Sequence, residues 1–221
     1  MDTSIRRTLI VLVLVAALIF GVVVARQLML ADEQKVAPAP ELTHLNTYVY
    51  DEPRPLADFQ LQDETGATVG PDSLKGRWTI AFLGYTNCPD VCPATMATLK
   101  RTDRLIPQDL PQPEFLLISA DPERDTPEKL QSYLGFFGSD FRGLTGDEED
   151  LRMLAKSLNG VFVERDTEED MVLVDHSAHL TVIDPEGRMI AVIQPPHKPE
   201  EIAEAFEEIY QWARLRHPRA G

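Results

Sequence analysis

The stretch Trp78-Thr79-Ile80-Ala81-Phe82-Leu83-Gly84-Tyr85-Thr86-Asn87-Cys88-Pro89-Asp90-Val91-Cys92-Pro93 decides the fold. Its first six residues form a short apolar run of the kind that makes a strand buried on both faces. Pro93 is acceptable in the first turn of a helix, and Met96, Leu99 and Leu105 then give an apolar stripe toward Ile106. A strand that turns directly into a helix is thus expected here. The turn between them holds the chain's two cysteines, four positions apart.

Outward from this unit, strand-like and helix-like segments alternate. Phe59 to Leu61 and Glu64 to Val69 read as a short hairpin, and Phe115 to Ala120 as a second buried strand. Thr126-Pro127 opens a helix with Leu130, Tyr133, Leu134 and Phe137 at helical spacing. The acids Asp147 to Asp150 open another, carrying Leu151, Leu154 and Leu158 on one side, because negative charge suits a helix N-terminus. Val161 to Glu164 and Met171 to Val174 form candidate paired strands around the polar loop Arg165 to Asp170. Leu180 to Ile183 and Met189 to Ile193 flank the hairpin turn Asp184-Pro185-Glu186-Gly187, and Ile202 to Leu215 closes as an amphipathic helix. The expected fold is α/β, a mixed sheet with helices on both faces. A thiol pair after the first long buried strand places this architecture near the thioredoxin class, by analogy.

The N-terminal end follows other rules. Residues 8–25 hold no charge over eighteen positions, enough to cross or nearly cross a bilayer core. That length favours a retained anchor over a cleaved signal peptide, although Val23-Val24-Ala25 would just serve as a cleavage site. Arg6 and Arg7 precede the segment and only Arg26 follows it before Asp32, a weak bias toward a cytoplasmic N-terminus. The expected organisation is a membrane anchor over 1–30, an extended stalk over 31–57 marked by Pro38, Pro40, Pro53 and Pro55, a single domain over 58–215 and a tail over 216–221. All but three of the 21 basic and all but one of the 36 acidic side chains lie beyond residue 31, a net charge of −17 there. Such a surface repels phosphate backbones, so nucleic acid is excluded as a partner, and the only membrane contact expected is through the anchor.

Two thiols at a strand-to-helix turn can close a disulfide, reduce one, or hold a soft metal ion. Pro89 argues against Cys88 lying inside the helix that Pro93 starts, so Cys88 belongs to the loop and Cys92 to the helix N-terminus, where the dipole favours thiolate. Thioredoxin-like redox motifs have two residues between the cysteines; here there are three, a wider bite. Two thiolates are too few for a closed zinc site but suit copper(I), with imidazole the natural third donor. His44 in the stalk, His197 in a loop and His217 in the tail read as solvent-facing. In Val174-Asp175-His176-Ser177-Ala178-His179 the two rings are three apart on an extended chain and face opposite ways, with a mild preference for His176.

The segment Gly84 to Pro93 resembles the signature of the Sco/SenC family of copper-binding, thioredoxin-like proteins. Ser119-Ala120-Asp121-Pro122-Glu123-Arg124-Asp125-Thr126-Pro127 and Val174-Asp175-His176-Ser177 are similar to two further family segments, and the likeness covers roughly residues 46–213. The resemblance implies that Cys88, Cys92 and His176 bind a copper ion, and that Cys88 and Cys92 can also form a redox-active disulfide. It implies a metallochaperone rather than an enzyme, one that delivers copper to the copper-accepting subunit of cytochrome c oxidase after receiving it from an unidentified donor. The alternative implied is a thiol-disulfide oxidoreductase that keeps such cysteines reduced; a peroxide-handling or redox-sensing protein is a third reading. Asp2 and the immediate apolar run do not fit a mitochondrial presequence, so the expected setting is a bacterial inner membrane crossed once, with the C-terminal domain in the periplasm. Asp90 and Asp175 are candidate outer groups or copper(II) ligands, since hard oxygen suits the oxidised ion; a turn role for Asp90 and a hydrogen-bonding role for Asp175 are the simpler readings. Met96 is expected to pack in the core, and Asp121, Arg124 and Asp125 to fix a loop through caps and ion pairs.

Overall fold

A computed structural model describes residues 3–33, 37–138, 141–165 and 173–216. The tail with His217 and the loop 166–172 between the two paired strands lie outside the described residues, as does Met171. The chain divides into two units, Met1–Pro38 and Ala39–Gly221. The first consists of one helix, α1 (Thr3–Glu33), and its segment Leu9–Gln27 is long and apolar enough to cross a membrane.

The second unit begins with β1 (Thr47–Pro55), β2 (Leu61–Asp63) and β3 (Thr68–Val69). The strand-helix unit follows as β4 (Thr79–Gly84) and α2 (Val91–Asp103), and then β5 (Glu114–Ser119). Next come α3 (Pro127–Gly135), β6 (Phe141–Gly146) and α4 (Glu148–Ser157). The paired strands are β7 (Phe162–Arg165) and β8 (Leu173–His176); the last hairpin is β9 (Leu180–Ile183) and β10 (Arg188–Ile193), and α5 (Pro199–Arg216) ends the described chain. Helix starts obey local chemistry. Thr126 caps α3 by accepting from the Lys129 N–H at 3.3 Å, with Pro127 behind it, and Asp147 caps α4 by accepting from the Glu149 and Asp150 N–H groups.

Eight strands form one sheet in the order β1-β10-β9-β4-β5-β6-β2-β3, while β7 and β8 pair apart from it as a two-stranded ribbon. β5 is parallel to β4 and to β6; the other pairs are antiparallel. Alternation along the central strands splits the core in two. Ile80, Phe82, Phe115 and Leu117 pack on one side with residues of α2, α3 and α5, including Met96 and Phe206. Ala81, Leu83, Leu116 and Ile118 pack on the other with α4, Phe162 and Val174. Each fully buried Leu, Ile or Phe here contributes about 1.5–3 kcal/mol of transfer free energy, so the middle of this sheet is a main source of the fold's stability. The mixed sheet with helices on both faces is the architecture the sequence predicts.

One expectation fails here. The stalk expected over 31–57 does not extend that far, because Leu42, Leu45 and Val49 are buried in the core and Thr47 to Val49 pair with β10. Of the prolines that suggested a stalk, Pro53 and Pro55 lie in the second half of β1, at and beyond the register shift between Val49 and Arg54, on an outer strand where a missing N–H is tolerated. β6 is a strand that the sequence pattern does not announce. Its Gly143 packs closely on α3, where a Cβ would stand 3.0 Å from the Leu134 side chain.

Candidate metal centre

The cysteines sit where β4 leaves the sheet. Gly84 ends the strand, and a Cβ there would approach the Phe82 ring to 3.0 Å and Cys92 Sγ to 3.3 Å, so glycine eases the close approach of the helix start. Cys88 lies in the loop, half-buried, and Cys92 is the second residue of α2, 1% exposed. Both are free thiols. The Cys92 N–H points at Cys88 Sγ across 3.4 Å.

The third donor comes from the ribbon. His176 is the last residue of β8, and its Nε2 stands 3.7 Å from Cys92 Sγ. Its Nδ1 is 3.0 Å from the Ser177 carbonyl. A carbonyl only accepts, so Nδ1 carries the proton and the Nε2 lone pair faces the sulfur. One donor atom from each of Cys88, Cys92 and His176 lies within 4.8 Å of the other two. Two soft sulfurs and one imidazole at this separation fit a soft metal ion.

The other histidines stay away. His179 Nε2 is 2.9 Å from the Leu158 carbonyl, as the opposite-face argument requires. His44 is exposed, in a short 3-10 turn rather than a stalk. His197, expected in solvent, is half-buried with Nε2 3.3 Å from the Ile193 carbonyl, and burial lowers its pKa. Asp90 and Asp175 are exposed and line the cleft beside the site, but neither joins the three-donor group. Asp90 acts through its backbone: its carbonyl accepts from the Ala94 N–H at the start of α2. Met96 lies in the opposite core half from Cys92.

The sulfur chemistry differs from the sequence expectation. Burial dominates at Cys92 and pushes its thiol well above the usual range, reinforced by Cys88 and by the negative charge of Asp125, so the helix dipole does not make it the thiolate. At Cys88 burial also opposes ionisation, but hydrogen bonds from the Cys92 side chain and N–H, the Asp90 N–H and the Tyr85 hydroxyl outweigh it and hold the thiol below its ordinary value. Tyr85, which the sequence reading passed over, joins the halves of the site. Its buried ring meets His176 edge-on with centroids 6.0 Å apart, and its hydroxyl accepts from the Val174 N–H at 3.4 Å. An open cleft of about 280 Å³, lined by Tyr85, Cys88, Pro89, Asp90, Val174 and His176 among others, leads to the donors.

Comparison with known proteins gives one consistent answer. A family model described as SCO1/SenC matches residues 50–211. A protein of Stutzerimonas stutzeri named for copper binding is 34% identical over 169 residues, 76% of this chain and 83% of that one. The structure of Arabidopsis thaliana ScoI with copper bound superposes with a TM-score of 0.67 and 30% identity, covering 71% of this chain and 98% of the other. Bradyrhizobium japonicum ScoI with copper bound gives 0.62 and 33%, covering 70% and 99%.

Proposed function

The chain belongs to the SCO1/SenC family, and from that premise we propose that it is a membrane-anchored copper chaperone whose cargo ion is held by Cys88, Cys92 and His176. The observation that carries this reading is the meeting of two thiols and an imidazole lone pair within 4.8 Å at the foot of an open cleft. Copper(I) prefers thiolates and accepts low coordination, so three protein donors leave a side open to an incoming ligand. A partner's thiol entering by the cleft meets Cys88, the more accessible sulfur, before Cys92. Copper then moves by exchange of one sulfur for another, with no covalent bond of the chain made or broken. The acceptor that the family resemblance implies is the copper-accepting subunit of cytochrome c oxidase, and the copper comes from an unidentified donor. α1 anchors the chain once in a bacterial inner membrane, supported by Leu9–Gln27 and by Arg6 and Arg7 ahead of it, with the domain in the periplasm.

A second reading uses the same sulfurs. The inequality between Cys88, with its lowered thiol pKa, and buried Cys92 suits an attacking and a resolving thiol in disulfide exchange. That reading has no need of His176. Titration of the full chain in detergent with copper(I) separates the two. Wild type should take up one equivalent, Cys88→Ser none, and His176→Ala should bind weakly and fail to transfer; full binding by Cys88→Ser would sink the site, and undiminished function of His176→Ala would favour the thiol reductant.

A further inference from the structure

We infer that Asp125 is a positioning residue for the copper site, setting the reach of the cysteine loop through Thr86; this rests on the copper reading above. Asp125 is 39 positions from Thr86, is fully buried, and makes no ion pair among the described residues. Its carboxylate is engaged from several directions. Thr86 Oγ1 donates to Oδ1 at 2.5 Å and the Thr86 N–H to the same oxygen at 3.1 Å, while Ser119 Oγ donates to Oδ2 at 2.7 Å. The Asp125 carbonyl accepts from Thr145 Oγ1 at 2.7 Å, which ties the residue to β6. Asp121, the other buried acid of this turn, is paired with Arg124 at 2.6 Å and leaves Asp125 to the loop.

Burying a carboxylate without a cation is costly, and hydrogen bonds to the charged form are what offset that cost. Burial is the largest influence on Asp125 and raises its carboxyl pKa, with the Thr86 and Ser119 donors pulling it back. A capping role would not require this burial, because a surface threonine or aspartate caps a helix equally well, as Thr126 and Asp147 do here. What Asp125 does that a cap does not is grip a residue two positions before Cys88 and hold it to the ends of β5 and β6. Beside this grip, the Gly84 carbonyl accepts from the Ala120 N–H and the Tyr85 hydroxyl from the Val174 N–H. The separation of the two sulfurs is therefore set in part from the loop that follows β5.

The experiment compares Thr86→Val, Thr86→Ser, Asp125→Asn and Cys88→Ser in the full chain, measuring copper(I) affinity against a chromophoric chelator and the sulfur-to-copper(II) charge-transfer absorption. Thr86→Val removes one donor to the carboxylate while keeping shape, and should weaken copper(I) about tenfold and shift the charge-transfer band, with far-ultraviolet circular dichroism unchanged. Thr86→Ser should restore both readouts, and Asp125→Asn should fall between, since an amide satisfies only some of the donors. Wild-type affinity and spectrum in folded Thr86→Val would overturn the inference, as would failure of Thr86→Ser to restore them. Loss of copper in Cys88→Ser shows that the site itself stands in either case; retention there would overturn the copper site and this inference with it.

Discussion

The two halves of the metal centre are built differently. The sulfurs are rooted: Cys88 and Cys92 follow β4, a central strand buried on both faces, and are held by Gly84, by Asp125 through Thr86, and by the start of α2. The imidazole is appended. His176 ends a two-stranded ribbon that shares no ladder with the main sheet and is fixed by Val174 in the core, the Tyr85 hydroxyl and the pairing of β7 with β8. Two strands alone are marginal in water, so the ribbon depends on these attachments. A site with one fixed and one yielding half suits an ion that must be held and then released. On the copper reading proposed above, the sulfur half would supply retention, and the imidazole half would be the one to give way with the least disturbance of the sheet.

That contrast can be tested by striking each half. The largest effect is expected at Gly84. Gly84→Ala brings a methyl to 3.0 Å from the Phe82 ring and 3.3 Å from Cys92 Sγ, so both side chains must shift to admit it. It should cost about 1–3 kcal/mol in denaturant unfolding and impair copper binding with it; a stability equal to wild type would mean that the sulfur half is softer than its packing suggests. Tyr85→Phe acts at the join. It removes the acceptor for the Val174 N–H, should cost about 1 kcal/mol, and should appear as faster hydrogen exchange in β8 with β4 and β5 unaffected. Faster exchange throughout the sheet would erase the distinction between the halves. The smallest effect lies within the rooted half. A lowered thiol pKa puts the reactive thiolate at lower pH, so as pH rises iodoacetamide should label Cys88 first and leave Cys92 until far more alkaline conditions. Fragment-ion mass spectrometry reads the two positions separately, and equal labelling at every pH would remove the asymmetry.

The rooted half was also the more legible in sequence, with one exception. β4, β5 and α2 announce themselves because burial on both faces writes continuous apolar runs, and helical burial writes a stripe. A helix dipole is a local property and suggests a thiolate at Cys92, whereas the burial that overrides it comes from the core half Cys92 shares with distant residues such as Leu116, Leu154 and Val174. Tyr85 and Asp125 were in view as residues, but their roles depend on contacts across 89 and 39 positions. β6 was hidden because its glycine answers to α3, and β1 because its prolines resemble a linker. His176 was favoured over His179 only mildly by strand geometry, and the choice rested on the resemblance until the 3.7 Å approach to Cys92 gave it a physical basis.

The misread β1 has a further consequence, for solubility. It is an outer strand of an eight-stranded sheet, and a bare outer strand is a template on which another chain can add itself. Beyond Tyr50 this strand carries Asp51, Glu52, Pro53, Arg54 and Pro55, and its register breaks before Arg54. Proline offers no N–H to a newcomer, charge resists the dry stacking that strand addition needs, and the irregularity bends the edge out of line. At the far side β3 is only two residues long. The same prolines that made the segment look like a tether thus protect the domain against edge-to-edge aggregation.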